Sequence, residues 1–434
     1  MTQLSLKAYR GAIVHALRDP GGGDDGAIEY FDDGLLVVDG GRVRQAGPAA
    51  ELLAGLPAAT PVENHRGRLI MPGFVDTHVH YPQVDVIASH GTRLLDWLER
   101  YTFPAESRFG NIEVAREAAS FFLDELIRNG TTTALVFASV HPQSVDAVFE
   151  AARSRGMRLI AGKVLMDRNC PQELRDSPQS GYRDSRALIE KWHGVDRLAY
   201  AITPRFAITS SDEQLAAAGR LAGEFPDVYV QTHVAENTEE VARVRELFPD
   251  RRSYLDVYDH FGLLRERAVY AHCIHLDDRD RGRMGECGAA AAFCPTSNLF
   301  LGSGLFDLEA ADAHGIRTGI GTDVGGGTSF SIPATTMEAY KVLQLQGQVL
   351  DPRRAFYLST LGGARALYLD HRIGNFEPGK EADFVVMDPH ATPLLARRMA
   401  TAGSISEKLF ALAVLGDDRS VAAVYLRGEA ATAG

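Results

Sequence analysis

From Leu69 onward the chain alternates eight times between short apolar runs and segments with helical spacing. The runs are LIMPGFVDTH, TTTALVFASV, RLIAGKVLM, LAYAITPRFAIT, VYVQTHVAE, AVYAHCIH, AAAAFCPTS and TGIGTDVG. Between them lie segments such as Val114–Asn129, Ser144–Gly156 and Ser211–Phe225, whose apolar residues recur at helical spacing and which stop at or beside Gly, Asn or Pro. Strands that alternate with helices pair in parallel, because each must be joined to the next by a crossover. Eight repeats predict a closed (β/α)8 barrel of the TIM type more than an open doubly wound sheet. The text on either side is different. AYRGAIVHAL, AIEYF and GLLVVDGGRVRQAG precede the alternation, and GNFEPGKEADFVVMDP and SVAAVYLRGE follow it, all β-like and broken by glycine. The expected fold is α/β: a (β/α)8 TIM-like catalytic barrel over 69–370, with a small β-sandwich domain built from both chain termini, 1–68 and 371–434.

The 434 residues suffice for a barrel of ~250 residues and a smaller domain. A net charge of −12 with no basic block suits neither nucleic-acid backbones nor anionic membranes. Cys170, Cys273, Cys287 and Cys294 are scattered without a C-x-x-C and read as buried free thiols. The opening MTQLSLKAYRGAIVHALRDP has no apolar core followed by a cleavage site, and no apolar run reaches the ~18 residues of a membrane span. A cytoplasmic protein is expected.

Four of the barrel strands end in metal-type ligands. His78 and His80 stand two apart on one strand and so share a face. His233 in VQTHVAEN, His272 in VYAHCIHL and Asp323 in GIGTDV each close another run. Strand C-termini are where barrels of this kind build their active sites. Any one of these histidines alone is more often a hydrogen-bonded structural residue; their joint placement at strand ends carries the reading. His78, His80, His233 and Asp323 supply three nitrogens and an oxygen, a set that suits zinc and also iron. With one position open, such a site brings the pKa of bound water towards ~7 and makes hydroxide available. Glu236 follows His233 by three residues and is placed to carry protons from that water to a leaving group. The bland alternative is a surface glutamate at a helix start. His272 either binds metal or orients the hydroxide, His275 is structural, and Asp323 both ligates and accepts the water proton. Lys163, near the end of the third run, is the kind of residue that bridges two metals when modified. GKVLMD does not compel that role, so an ion-paired lysine and one metal per chain are expected.

Tyr81 to Glu113 separates the first two barrel strands and contains TRLLDWLERYTFPAESRF. It reads as an amphipathic helix over the barrel mouth, or as a lid that excludes water and lines the pocket with Trp97 or Phe103. The two readings are compatible.

PGFVDTHVH, HVAEN, AHCIHL, GTDVG and GKEADFVVMD together resemble the amidohydrolase superfamily of metal-dependent hydrolases. HYPQ, LLDWLERYTFPAE, TPRFA, FCPTSNLFLGSG and the tail LAVLGDDRSVAAVYLRG resemble its guanine deaminase family, over nearly the whole chain. The resemblance implies hydrolytic deamination of guanine to xanthine and ammonia, and a homodimer. It assigns metal binding to His78, His80, His233 and Asp323, purine contacts to Gln83, Arg205, Phe206 and Glu236, and a catalytic role to His272. The residue chemistry agrees. Gln83 offers an amide to a ring edge, Arg205 can donate to the C6 carbonyl and hold developing negative charge, and Phe206 offers a ring to pack on. A related hydrolase acting on an s-triazine or a pterin would use the same metal site. A non-catalytic purine-binding protein would keep the barrel without turnover. The other zinc-deaminase architecture expects P-C-x-x-C, and here Cys294-Pro295 runs in the opposite order.

Overall fold

Gly73 divides the apolar run Leu69–Val75 between two sheets. Val62–Pro72 is a strand of the terminal sheet and Phe74–His80 is the first barrel strand. A Cβ at Gly73 would lie 2.1 Å from Thr132 Oγ1, so the chain can cross here only without a side chain. The junction therefore falls at Gly73, four residues beyond the division expected after Arg68. The computed structural model describes residues 6–91 and 93–432. Residues 1–5 and 433–434 of the expected terminal domain, and Thr92 of the covering segment, lie outside the described residues.

The barrel strands are Phe74–His80, Thr131–Phe137, Arg158–Gly162, Leu198–Pro204, Tyr229–Val234, Ala268–His272, Ala290–Phe293 and Arg317–Ile320, paired in parallel in that order. A short strand, Val164–Leu165, adds to the fourth. Side chains divide by the two-residue period of a strand. Ala134, Val136, Leu159, Ala161, Tyr200 and Ile202 join the apolar cluster shared with the helices. Leu135, Ile160 and Ala201, from the intervening positions, join a separate cluster with Val75, Tyr229 and Val269 that fills the barrel. The last and first strands are tied at their C-terminal ends: Asp323 N–H donates to His78 O at 2.8 Å and His80 N–H to Val324 O at 2.9 Å. The ring thus closes where the expected ligands stand.

The helices follow their caps. Asn111 accepts from Glu113 N–H at the start of Ile112–Arg128, and Ser211 accepts from Gln214 N–H at the start of Asp212–Glu224. Gly156, with φ 67°, ends Pro142–Arg155 in the left-handed conformation. The covering segment is a near-continuous helical run over Leu94–Trp97, Leu98–Thr102 and Phe103–Ser107.

The termini build one seven-stranded sheet in the order Glu429–Ala431, Val421–Leu426, Phe384–Met387, Val62–Pro72, Lys7–Ala16, Ile28–Asp39, Arg42–Pro48. Tyr9, Ile13, Leu36, Phe384, Val386 and Tyr425 form its core. The C-terminal part is not β alone. Helices Pro393–Met399 and Ile405–Leu415 lie between two of its strands, and the second packs on barrel helix Ile332–Leu345, with the Tyr340 and Phe410 rings 5.1 Å apart. Sheet and barrel are also clamped by buried charge. Arg158, at the start of the third barrel strand, donates to Glu381 at 2.6 Å, and Arg197, just before the fourth, reaches Glu381 at 2.7 Å and also pairs with Asp383. No helix among the described residues is long and apolar enough to cross a membrane. All four cysteines are free.

Candidate active site

The expected ligands converge at the C-terminal rim of the barrel. His78, His233, His272 and Asp323 offer ligand atoms that all lie within 4.8 Å of one another. His80 completes the group, with its Nε2 3.2 Å from His78 Nε2, 3.1 Å from His233 Nε2 and 3.3 Å from Asp323 Oδ1. Asp323 Oδ1 is also 3.1 Å from His78 Nε2. The backbone here is unusual for residues with side chains: Ala235, His272 and Asp323 have φ of 49°, 72° and 51°. Left-handed conformations cost free energy and cluster at functional sites, where a turn must aim a side chain.

Neighbouring groups fix which ring nitrogens face inward. His233 donates Nδ1–H to Arg205 O at 2.7 Å, and His272 donates Nδ1–H to Asn298 Oδ1 at 2.8 Å. Each therefore turns the lone pair of Nε2 towards the centre, the usual outer-shell arrangement of metal-binding histidine. His272 Nε2 is buried and has no hydrogen-bond partner among the described residues. Burial depresses the basicity of His78, His80 and His233, taking His80 down to about 3. Burial alone would raise the Asp323 carboxyl, but His78 and His80 outweigh it and hold it well below the usual range. Neutral imidazoles around an ionised carboxylate, with an orphaned nitrogen aimed inward, are a donor set that fits a divalent ion.

Glu236 lies beside this cluster, its Oε2 3.4 Å from His272 Nε2. Ser303 donates to its other oxygen at 2.7 Å. Burial first, then the negative charge of Asp323, push the Glu236 carboxyl up to about 8, against the lowering effect of Ser303. In that range a carboxyl can both hold and release a proton near neutrality. The Glu236 backbone is fixed as well: Glu240 Oε2 accepts from the N–H groups of Glu236 and Asn237 at 2.9 and 3.1 Å, and Tyr254 donates to Glu240 Oε1 at 2.7 Å.

A cavity opens over these groups, lined also by Gln83, Arg205 and Phe206. Leu94, Trp97 and Leu98 of the covering segment wall it, so that segment both covers the mouth and lines the pocket. Phe103 lies instead beneath Arg205, whose guanidinium is 5.4 Å from the ring centre. His275 Nε2–H donates to Ser303 O at 2.9 Å, a structural contact. Lys163 is fully buried and paired with Asp176.

Four buried polar residues of this region escaped the sequence reading: Glu106, Glu240, Asn298 and Ser303. Glu240 carried a usable signal, since Asn237 followed three residues later by a glutamate is a capping box. Asn298 and Ser303 stand inside FCPTSNLFLGSG without a chemical pattern of their own. Glu106 reads as one more charge on an amphipathic helix.

The sequence profile described as "Amidohydrolase family" matches residues 69–431. The guanine deaminase of Escherichia coli (strain K12) is 52% identical over 426 residues, covering 98% of this chain and 97% of that protein. The solved structure titled "E. coli Guanine Deaminase" superposes with a TM-score of 0.96, covering 98% of this chain and 99% of that one. The guanine deaminase structure from C. acetobutylicum "with bound guanine in the active site" is 28% identical, with a TM-score of 0.89 over 98% of this chain and all of the other. By profile, sequence and fold, the chain belongs to the amidohydrolase family, among its guanine deaminases.

Proposed function

We infer that this chain hydrolyses guanine to xanthine and ammonia. One observation carries the inference: a cluster of metal-type ligands meets a proton-holding carboxyl, Glu236, in a cavity walled by Gln83, Arg205 and Phe206. The relatives at 52% identity are named for this reaction.

His78, His80, His233 and Asp323 are proposed to hold one zinc ion per chain, iron being suited to the same donors. When bound, such an ion supplies Lewis acidity that makes water nucleophilic at neutral pH. Gln83 and Arg205 donate to the acceptor edge of the purine, and Arg205 holds the negative charge that develops as the ring loses aromaticity. Phe206 packs against the ring. Glu236 takes one proton from the attacking water and delivers it to a ring nitrogen, then receives the water's remaining proton by way of Asp323 and delivers it to the departing amine. His272, with Nε2 free, orients the water, and Asp323 accepts its second proton. Water adds at C2, the bond from C2 to the exocyclic nitrogen breaks, ammonia leaves and xanthine remains. The four free thiols support a cytoplasmic location. A homodimer serving purine breakdown completes the proposal.

Ammonia release from guanine, adenine, cytosine, ammeline and pterins by the metal-replete protein is the test. Guanine is expected to be turned over fastest. Preference for ammeline or a pterin would reassign the substrate, and guanine binding without ammonia at full metal content would make the chain a binding protein.

A further inference from the structure

Glu106 joins the two polar residues proposed to read the purine. Its side chain is buried, and its two oxygens share an N–H of Arg205 Nη1, at 2.9 Å for Oε1 and 2.7 Å for Oε2. Gln83 donates from Nε2 to the same Oε1 at 3.0 Å, while Gln83 Oε1 accepts from Gly325 N–H at 3.2 Å. These partners leave the Gln83 amide one orientation. Flipped, it would set its carbonyl against a carboxylate and its NH₂ against a backbone N–H, two repulsions in a buried site. The Gln83 carbonyl is therefore held on the Gly325 N–H, and one N–H of its amide remains. Arg205 keeps its Nε and Nη2 donors, which meet no acceptor among the described residues. Both residues line the cavity. The N–H groups that Arg205 and Gln83 leave unpaired make this wall predominantly a donor.

We propose that Glu106 is the positioning residue that sets substrate choice: by holding Arg205 and Gln83 as donors it makes the pocket select a 6-oxo purine over its 6-amino counterpart. This rests on the reading that the chain removes the 2-amino group of guanine. A C6 carbonyl accepts from such a wall. A C6 amine brings donors against donors, leaving buried groups unpaired on both sides, and sites of this kind discriminate far more strongly than apolar ones. Because Glu106 belongs to the Phe103–Ser107 helix, the same contact also fastens the covering segment to the pocket wall.

The test compares kcat/KM for guanine and 2,6-diaminopurine, which share the 2-amino group and differ at C6, in the wild type, Glu106→Gln and the swap Gln83→Glu/Glu106→Gln. The wild type is expected to favour guanine strongly. In Glu106→Gln the Gln83 amide is free to turn, so the guanine to 2,6-diaminopurine ratio should narrow by at least tenfold with metal content unchanged. Loss of both activities by the same factor would reduce Glu106 to packing and overturn the proposal. If Glu106→Gln does not fold, the swap decides. It restores a hydrogen-bonded pair but turns an acceptor to the cavity, so a ratio still like the wild type, or failure of the swap to fold, overturns the proposal. A wild type that binds guanine but releases no ammonia would instead defeat the functional reading, and the same ratio would then be read from dissociation constants.

Discussion

Ser303 donates its hydroxyl to Glu236 Oε1 at 2.7 Å, which leaves Oε2 as the oxygen turned to His272, 3.4 Å away. A glutamate at an exposed helix start would have neither partner. Losing a hydrogen bond to a charged group costs about 1.5–3 kcal/mol, roughly tenfold to a hundredfold when felt only in the reacting state. Ser303→Ala should therefore lower kcat by about tenfold or more with metal content intact. An unchanged kcat would mean that Glu240 and the backbone alone hold Glu236 in place.

Glu236→Gln is the sharper substitution. The amide keeps the shape and can still accept from Ser303, but it cannot pass a proton. A positioned general acid–base contributes ~10²–10⁴-fold, so kcat should fall by about that much, with a modest rise in KM. Steady-state kinetics of the metal-replete variant give the answer. A kcat within a few-fold of the wild type would remove Glu236 from proton transfer.

The parts of the site legible in the sequence are those fixed by local periodicity. His78 and His80 share a strand face, and His233, His272 and Asp323 each follow an apolar run, so strand pattern alone brings them to one rim. Glu106 was not legible, because its meaning lies in Arg205, 99 residues later, and Gln83, 23 earlier. Local charge on a helix says nothing of such a partner. The same limit hid helices Pro393–Met399 and Ile405–Leu415, since LFALAVL is short, apolar and without a period that separates strand from helix. The break at Gly73 did carry a mark: Pro72-Gly73 is a turn-type pair, and it interrupts what otherwise reads as one strand.

Arg205 pairs with Glu106 and is proposed to read the purine, and two substitutions separate the two roles. Arg205→Ala strands the buried Glu106 carboxylate, and breaking a buried pair from one side typically costs about 3–5 kcal/mol of stability. Arg205→Lys keeps the charge but not the fork, so its stability loss should be smaller while guanine kcat/KM still falls about tenfold to a hundredfold. Thermal unfolding and kinetics on both variants check this. Normal guanine kinetics in Arg205→Lys would mean that the fork does not read the substrate.

The ligand cluster predicts one tightly held metal per chain by elemental analysis. Chelation should abolish activity and lower the melting temperature, and zinc should restore both. His80→Ala should lose metal and activity with an unchanged circular dichroism spectrum, because His80 stands at the rim and not in the layers that fill the barrel. Two metals per chain would overturn the mononuclear assignment, and ordinary metal content with ordinary activity would take His80 out of the ligand set.

His15 gives the terminal sheet a pH dependence of its own. Its ring is buried 5.4 Å from that of Phe376, with Nε2 3.0 Å from the half-buried Glu29 carboxylate; burial outweighs that neighbour and pushes the imidazole down to about 4, Glu377 opposing and Lys380 adding to the effect. An unfolded histidine titrates near 6.5. Between those values the unfolded chain binds a proton that the folded one refuses, so stability is complete above about pH 6.5 and is lost as pH falls towards 4. A displacement of this size corresponds to about 3 kcal/mol. His15→Gln removes the titration while keeping a polar group there, so denaturant unfolding at pH 7 and pH 4.5 should show the wild type losing more stability than the variant, by about 2–3 kcal/mol. Equal losses in the two proteins would show that His15 charges freely in the folded state.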